Sequence, residues 1–263
     1  MNARELKAKL RHCESTVGAW VTLDHPAAAV LMARAGFDWI VIDLEHGHFT
    51  LGALRSCLDA IRHLDIATLV RVPSGDRTTC AQILDLGAHG LVVPMITGSA
   101  DAEAVVRSCY YPPTGRRGLG AGRATDYGLD ATDYFDRANS DVIIVVQIEQ
   151  PEAVEEIGTI VAVDGIDAIF IGPADLSASL GHHGDIGHPD VQVAIQRVRT
   201  ACASAGRAVG MWCVDSKAAA SAAADGMSMV VWTSDAALLG GAARSAFDQY
   251  GAGASQTKMR GSE

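Results

Sequence analysis

The chain has 263 residues, 49% of them hydrophobic and 20% charged, enough length and apolar content for one sizeable core. The formal net charge is -10 and no basic run occurs, which argues against nucleic acid and anionic membrane as partners. No stretch has the length of a membrane span, and the charged start MNARELKAKLRHCE lacks the apolar centre of a signal peptide, so a cytoplasmic protein is expected.

Short β-like runs recur from the N-terminus onward. The first is 17–23, followed by the helix-like stretch PAAAVLMARAG and a second run at 39–43. A third lies at 68–72, then TTCAQILDLGAHG, then a fourth at 90–94. Residues 109–140 break the rhythm, being too long for a simple connection, and long ordered loops tend to be functional. Runs five to eight fall at 142–148, 168–171, 208–213 and 228–232, with DVQVAIQRVRTACASAG and SKAAASAAADG before the last two. The runs are continuous rather than alternating, as in parallel strands buried on both faces, and several helical stretches stop at glycine. Eight strands alternating with helices predict a single (β/α)8 barrel over residues 1–250, with a doubly wound open sheet as the alternative. The tail 251–263 has no apolar face and is expected to be disordered. The cysteines (Cys13, Cys57, Cys80, Cys109, Cys202 and Cys213) form no C-x-x-C pair and read as reduced, mostly buried thiols.

In such a barrel the C-terminal strand ends form one rim, where reactive groups gather. Asp43, Glu45 and His46 follow the second run, and Arg71 ends the third. Gln147 and Glu149 end the fifth, and Asp175 follows the sixth. Polar groups from four strands therefore share one face. Each also has a plain structural reading. Arg71 and Glu149 fit an internal ion pair, and Asp175 fits a helix N-cap. Asp43 is expected to accept an imidazole N–H from His46 and so orient it as an acid/base. Glu149 and Asp175, two carboxylates without nitrogen or sulfur between them, suit Mg²⁺, Mn²⁺ or Co²⁺ better than zinc. The cluster GHHGDIGH at 181–188 fits no standard zinc spacing and reads as a polar loop. In the long loop, Arg123 is expected to reach the distal half of a substrate. Lys7, Lys9, Lys217 and Lys258 lie away from strand ends, which argues against a Schiff-base mechanism.

The segments GFDWIVIDLEHG, LVRVP, LDLGAHGLVVPM, YYPPTGRRGLG and VVQIEQPEAVEEIGTIVAVDGIDAIFIGPADLSASLG resemble the metal-dependent pyruvate aldolases of the HpcH/HpaI family, in order over roughly 15–240. The resemblance implies a (β/α)8 barrel whose last helix packs on a neighbouring subunit, in a homo-oligomer that is a trimer or a hexamer built from trimers. It places Glu149 and Asp175 on the metal ligands and His46 with Asp43 on an acid/base dyad. It places Arg71 beside the substrate's keto oxygen and Gln147 in the same pocket. The backbone of Gly172, Pro173 and Ala174 falls where the substrate carboxylate sits. The implied reaction is reversible cleavage of a 4-hydroxy-2-oxo acid to pyruvate and an aldehyde. Oxaloacetate decarboxylation, a citrate-lyase-like cleavage of an acyl-CoA, or a non-catalytic barrel subunit are the alternatives. The chain departs from the family at VVWTSDA and GMWCVD, where Trp232 and Trp212 are expected to crowd the distal pocket.

Overall fold

The structure is a computed structural model and describes residues 1–260. Eight parallel strands pair in chain order, and β8 returns to β1 to close a barrel. The chain begins with α1 (Ala3–Arg11), β1 (Thr16–Val21), α2 (Pro26–Arg34), β2 (Trp39–Asp43) and α3 (Leu51–Ile61). It continues with β3 (Ala67–Arg71), α4 (Arg77–Asp85), β4 (Gly90–Val93) and α5 (Ser99–Cys109). A 3-10 turn (Arg123–Gly128), α6 (Ala131–Asp141) and β5 (Ile143–Ile148) follow. Next come α7 (Pro151–Glu155), α8 (Ile157–Ile160), β6 (Ala168–Ile171), α9 (Pro173–Ser179) and α10 (Pro189–Ala205). The chain ends with β7 (Ala208–Trp212), α11 (Ser216–Ala224), β8 (Met229–Ser234) and α12 (Asp235–Arg260). The barrel expected from the eight runs is therefore present, and the open sheet is excluded by the β1–β8 pairing.

Along each strand the side chains alternate between two cores. Ile40, Ile42, Val70, Ile144, Val146 and Ile148 face outward into the layer beneath the helices. Trp39, Val41, Leu69, Val145, Phe170 and Val231 face inward. Gly18 on β1 makes room for this filling, because a Cβ there would stand 2.4 Å from the Trp39 indole. The indole N–H of Trp39 donates to Thr16 Oγ1 at 3.0 Å, so this buried polar atom is satisfied.

The bottom of the barrel is closed by α1, which the sequence pattern did not reveal as an element. Asn2 and Glu5 form a capping box that starts it. Leu6 and Leu10 point into the inner core, and burying each contributes about 1.5–3 kcal/mol. Lys7, though buried, reaches Asp167 at 3.0 Å and the carbonyl of Val142. At the other terminus the backbone of α12 stays helical to Arg260, so 251–260, expected as a disordered tail, continues the helix. No proline interrupts that run. Residues 261–263 lie outside the described residues. Among the described residues, no helix is long and apolar enough to cross a membrane.

Helix α4 begins at Asp76, whose carboxylate accepts the N–H groups of Thr78 and Thr79 and the hydroxyls of Ser74 and Thr79. The Ser74 hydroxyl bond leads in holding this acid down at about 2. A depressed carboxylate contributes stability above its unfolded value, near ~3.9, and loses it as pH falls through the folded value. Asp76→Ala is expected to cost about 1 kcal/mol at neutral pH. Urea titrations of both proteins should show that difference shrinking as pH falls from about 4 toward 2; a difference independent of pH would be inconsistent with this cap.

Candidate active site at the C-terminal rim

The inward alternation continues past the strand ends and decides what the rim contains. Trp39 and Val41 face inward on β2, so Asp43 does too. Ala67 and Leu69 set the same course for Arg71 on β3. Ile143 and Val145 do so for Gln147 and Glu149, and Ala168 and Phe170 for Gly172. Asp43 and Arg71 are register partners across β2 and β3. The guanidinium therefore meets the carboxylate side-on, Nε to Oδ1 at 2.9 Å and Nη2 to Oδ2 at 2.6 Å. Its Nη1 reaches Glu45 Oε2 at 3.0 Å, and its face lies over Trp20, 5.7 Å from the ring centroid. Burial works against the charge of Arg71, but Asp43, then Glu45 and Glu149, more than offset it, so the guanidinium stays firmly protonated.

This pairing corrects two expectations. Arg71 is not ion-paired with Glu149; its carboxylate partners are Asp43 and Glu45. Nor does Asp43 hold the His46 imidazole. Its Oδ1 also accepts the backbone N–H groups of Glu45 and His46, at 3.1 and 3.3 Å, and both oxygens are already taken by Arg71. Asp43 thus fixes the turn that presents His46, while the imidazole itself is exposed at the rim.

Glu149 is buried at 2% exposure. Its Oε1 accepts the N–H of Met95 at 2.8 Å, and its Oε2 is bonded by the Gln147 amide. The other amide atom, Gln147 Oε1, is buried without a partner. Gly172 lies against both side chains, and a Cβ there would stand 2.7 Å from Glu149 Oε2 and 2.8 Å from Gln147 Nε2. Only glycine keeps this space open. Burial pushes the Glu149 carboxyl up, and the nearby Asp175 carboxylate adds to the push. Glu45 is pushed up in the same way, by burial first, against the pull of Arg71 and with Glu149 and Asp43 adding repulsion. Asp43, Glu45 and Glu149 therefore act on one guanidinium while Asp175 stands near Glu149, and the surplus negative charge is what a cation would neutralise.

Asp175 is not the N-cap of α9. That place is taken by Gly172, and Asp175 stands exposed in the first turn. The first intrahelical donor of α9 is Leu176, whose N–H reaches the Gly172 carbonyl, so the N–H groups of Ala174 and Asp175 have no partner within the helix.

Arg123 is not in this group. It donates to the carbonyls of Leu58 and Leu86, at 3.0 and 2.9 Å, and pairs with Asp59. Those groups end α3 and α4, and helices of a barrel run opposite to its strands, so Arg123 is at the bottom, lining a cleft of about 550 Å³. The helix C-termini attract it because their carbonyls lack intrahelical donors. Trp232 is also placed otherwise than expected. It is one residue out of phase with the inward Val231 and packs outward on Phe37, with centroids 6.0 Å apart. Trp212 has the inward phase and meets Trp20 edge-on at 5.7 Å. Cys213 is buried. Trp20 and the Met95 N–H were not foreseen. The phase of β1 identifies Trp20, whereas nothing local marks Met95, which sits at φ +59° after β4.

Comparison with known proteins agrees with this geometry. A family model described as HpcH/HpaI aldolase/citrate lyase matches residues 16–241. The chain belongs to that family. It is 40% identical over 211 residues to a hydroxypyruvate/pyruvate aldolase of Pseudomonas aeruginosa, covering 80% of this chain and 78% of that one. It is 44% identical over 210 residues to a 4-hydroxy-2-oxovalerate aldolase of Rhodococcus jostii, covering 78% and 80%. The crystal structure of an HpcH/HpaI aldolase/citrate lyase family protein from Burkholderia cenocepacia superposes with a TM-score of 0.90 at 39% identity, covering 94% of this chain and 98% of that one. As a member of this aldolase family the protein is a carbon–carbon lyase.

The buried pair at the rim has a measurable consequence. Removing Arg71 leaves Asp43, 1% exposed, as an uncompensated charge. Arg71→Ala is expected to lower stability by about 3–5 kcal/mol. The double variant with Asp43→Ala should cost clearly less than the two single changes added together. Strict additivity in urea denaturation would show that the two side chains do not depend on each other.

Proposed function

We propose that this family member cleaves a 4-hydroxy-2-oxo acid reversibly into pyruvate and an aldehyde, using a divalent cation held by Glu149 and Asp175. The observation that carries the reading is the buried Glu149, raised by desolvation and by Asp175, beside the space that Gly172 leaves. That all-oxygen donor set fits Mg²⁺, Mn²⁺ or Co²⁺, with remaining positions filled by water and substrate. The relatives named hydroxypyruvate/pyruvate aldolase and 4-hydroxy-2-oxovalerate aldolase support pyruvate as one fragment.

When bound, the cation supplies Lewis acidity toward the 2-oxo group. Arg71 commits its Nε–H and one Nη2–H to Asp43 and sets Nη1 beside Glu45, which leaves N–H groups to donate to the same carbonyl oxygen as negative charge grows there. Asp43 and Trp20 hold that guanidinium in place. The free N–H groups at Ala174 and Asp175 receive the substrate carboxylate in the cradle formed by Gly172 and Pro173, and Gln147 lines the same wall. His46, exposed on the turn that Asp43 fixes, takes the proton from the 4-hydroxyl and returns it in the condensation direction. Lys7 and Lys9 are on α1 at the bottom and Lys217 is on the outer α11, so none of these amines reaches the rim to form a Schiff base. Six free thiols fit a reducing, cytoplasmic setting.

Excess chelator should abolish pyruvate release, and Mg²⁺, Mn²⁺ or Co²⁺ should restore it; activity that survives chelation rules the cation out. Arg71→Lys is expected to lower kcat by about 10²–10³. His46→Ala should lose cleavage while keeping the wild-type affinity for Mn²⁺ by calorimetry, and a parallel loss of both would instead make His46 a ligand.

We also infer a homo-oligomer, a trimer or hexamer, in which α12 covers a second copy. Every side chain from 236 to 250 is exposed, including Leu238, Leu239, Phe247 and Tyr250 at 46–74%. Only the start of this helix is tied to its own barrel, where Asp235 accepts the N–H groups of Thr22 and Leu23, and a stretch that exposes such residues lacks the burial that stabilises helices. Phe247→Asp with Leu239→Asp should shift the mass measured by light scattering to that of one chain. An unchanged oligomer, or a wild-type monomer, would count against this role for α12.

A further inference from the structure

The segment from Gly181 to His188 connects α9 to α10, and no step of the proposed reaction uses it. Read along the chain, its histidines match no metal-binding spacing. Folded, it brings three donors together from the loop and the first turn of α10. His182 Nε2 lies 2.9 Å from Asp190 Oδ2, and His188 Nδ1 lies 3.6 Å from the same oxygen. One ligand atom from each of the three residues falls within 4.8 Å of the other two. The two imidazoles are stacked nearly face to face, with centroids 3.4 Å apart and planes 17° from parallel. Aromatic rings left to themselves prefer offset or edge-on contacts with wider centroid separations. The backbone, rather than ring attraction, accounts for this juxtaposition.

That backbone is tied at several points. The buried Ser177 of α9 accepts the N–H of His182 at its carbonyl and the N–H of Gly184 at its hydroxyl, both at 2.8 Å. Asp185 N–H donates to the His182 carbonyl at 2.9 Å, and His188 N–H to the Asp185 carbonyl at 3.1 Å. Gln192 holds the Ile186 carbonyl from α10 at 2.8 Å. Gly181 and Gly184, at φ +86° and +89°, supply the left-handed turns this path requires. The backbone that carries the donors is thus fixed before any ligand arrives, and only side-chain rotation is left to complete the site.

We propose that His182, His188 and Asp190 form a second cation site, selective for borderline divalent ions such as Zn²⁺, Ni²⁺ or Cu²⁺. Tetrahedral zinc with bonds near ~2.0–2.1 Å sets its ligand atoms roughly 3.3 Å apart, and the 2.9 and 3.6 Å contacts bracket that spacing. Two imidazoles and one carboxylate leave one position for water. Imidazole nitrogen favours these ions over Mg²⁺, whereas the all-oxygen pair at the rim does not, so the two sites divide metals by ligand type. Occupation asks for a modest change. His188 Nδ1 gives up its 3.2 Å bond from the Asp190 N–H, and the half-buried rings swing out of their stack. The ion clamps the start of α10 to the loop that leaves α9, the helix whose first turn carries Asp175. The site stands whether or not the aldolase chemistry proceeds as proposed.

The test uses the full chain, stripped of metal and then held in excess Mg²⁺, which fills the carboxylate site but competes poorly for imidazole. Zn²⁺ titration by calorimetry should then show roughly one equivalent per chain and a rise in Tm. Co²⁺ in place of Zn²⁺ should give the visible absorption of a four-coordinate N/O complex. His182→Ala and Asp190→Ala, both at solvent-accessible positions, should weaken Zn²⁺ binding at least about tenfold and remove the Co²⁺ band. Mg²⁺ affinity and circular dichroism should be unchanged. No Zn²⁺ uptake by the wild type in excess Mg²⁺ would overturn the proposal, and so would uptake of unchanged affinity in both variants.

Discussion

Closure of β1 onto β8 is the constraint from which the rest follows. Once the sheet is closed, each strand has one face in the barrel and one beneath the helices, and the two-residue repeat of the strand assigns every side chain to one of them. Inside, large residues such as Trp39, Leu69 and Phe170 fill the lumen, and α1 seals its lower end with Leu6 and Leu10. The upper end is where the same inward phase reaches Asp43, Arg71, Gln147, Glu149 and Gly172. These polar groups are near one another because they terminate inward rows on different strands.

Burying charge at that height has electrostatic consequences. A guanidinium taken from water needs partners, and Arg71 has two carboxylates and the face of Trp20. Glu149 has only neutral donors, the Met95 N–H and the Gln147 amide, and faces the like charge of Asp175. The site is therefore asymmetric: compensated on the β2–β3 side and over-supplied with negative charge on the β5–β6 side. That asymmetry separates a side that stabilises growing negative charge from a side that holds a cation. Family membership fits this division of labour, and the bottom of the barrel, with Arg123 clamped on helix ends, serves the fold.

Much of this was legible before the chain was folded. Continuous apolar runs of four to seven residues, spaced by helical stretches that end in glycine, carried the eight-stranded barrel, because strands buried on both faces require such runs. The same runs located Asp43, Arg71, Glu149 and Asp175 at strand ends or just beyond. Phase within a strand also distinguishes Trp212 from Trp232, although the bulk of both rings pointed to the pocket. The helix α1 went unread because a charged N-terminal stretch with only two leucines facing the barrel looks like solvated surface.

The sequence by itself determined the architecture, the rim on which chemistry collects and the residue types available there, since local periodicity and strand polarity suffice for these. Partner choice was decided only by tertiary structure. Asp43 bonds Arg71 instead of the His46 imidazole because register between neighbouring strands brings the guanidinium in first. Arg123 leaves the rim because two helix C-termini, distant in sequence, offer it carbonyls. His182, His188 and Asp190 converge although their spacing along the chain matches no metal motif, because a loop tied to Ser177 folds back on the next helix. Contacts of this kind depend on distances across the fold, and no local pattern encodes them.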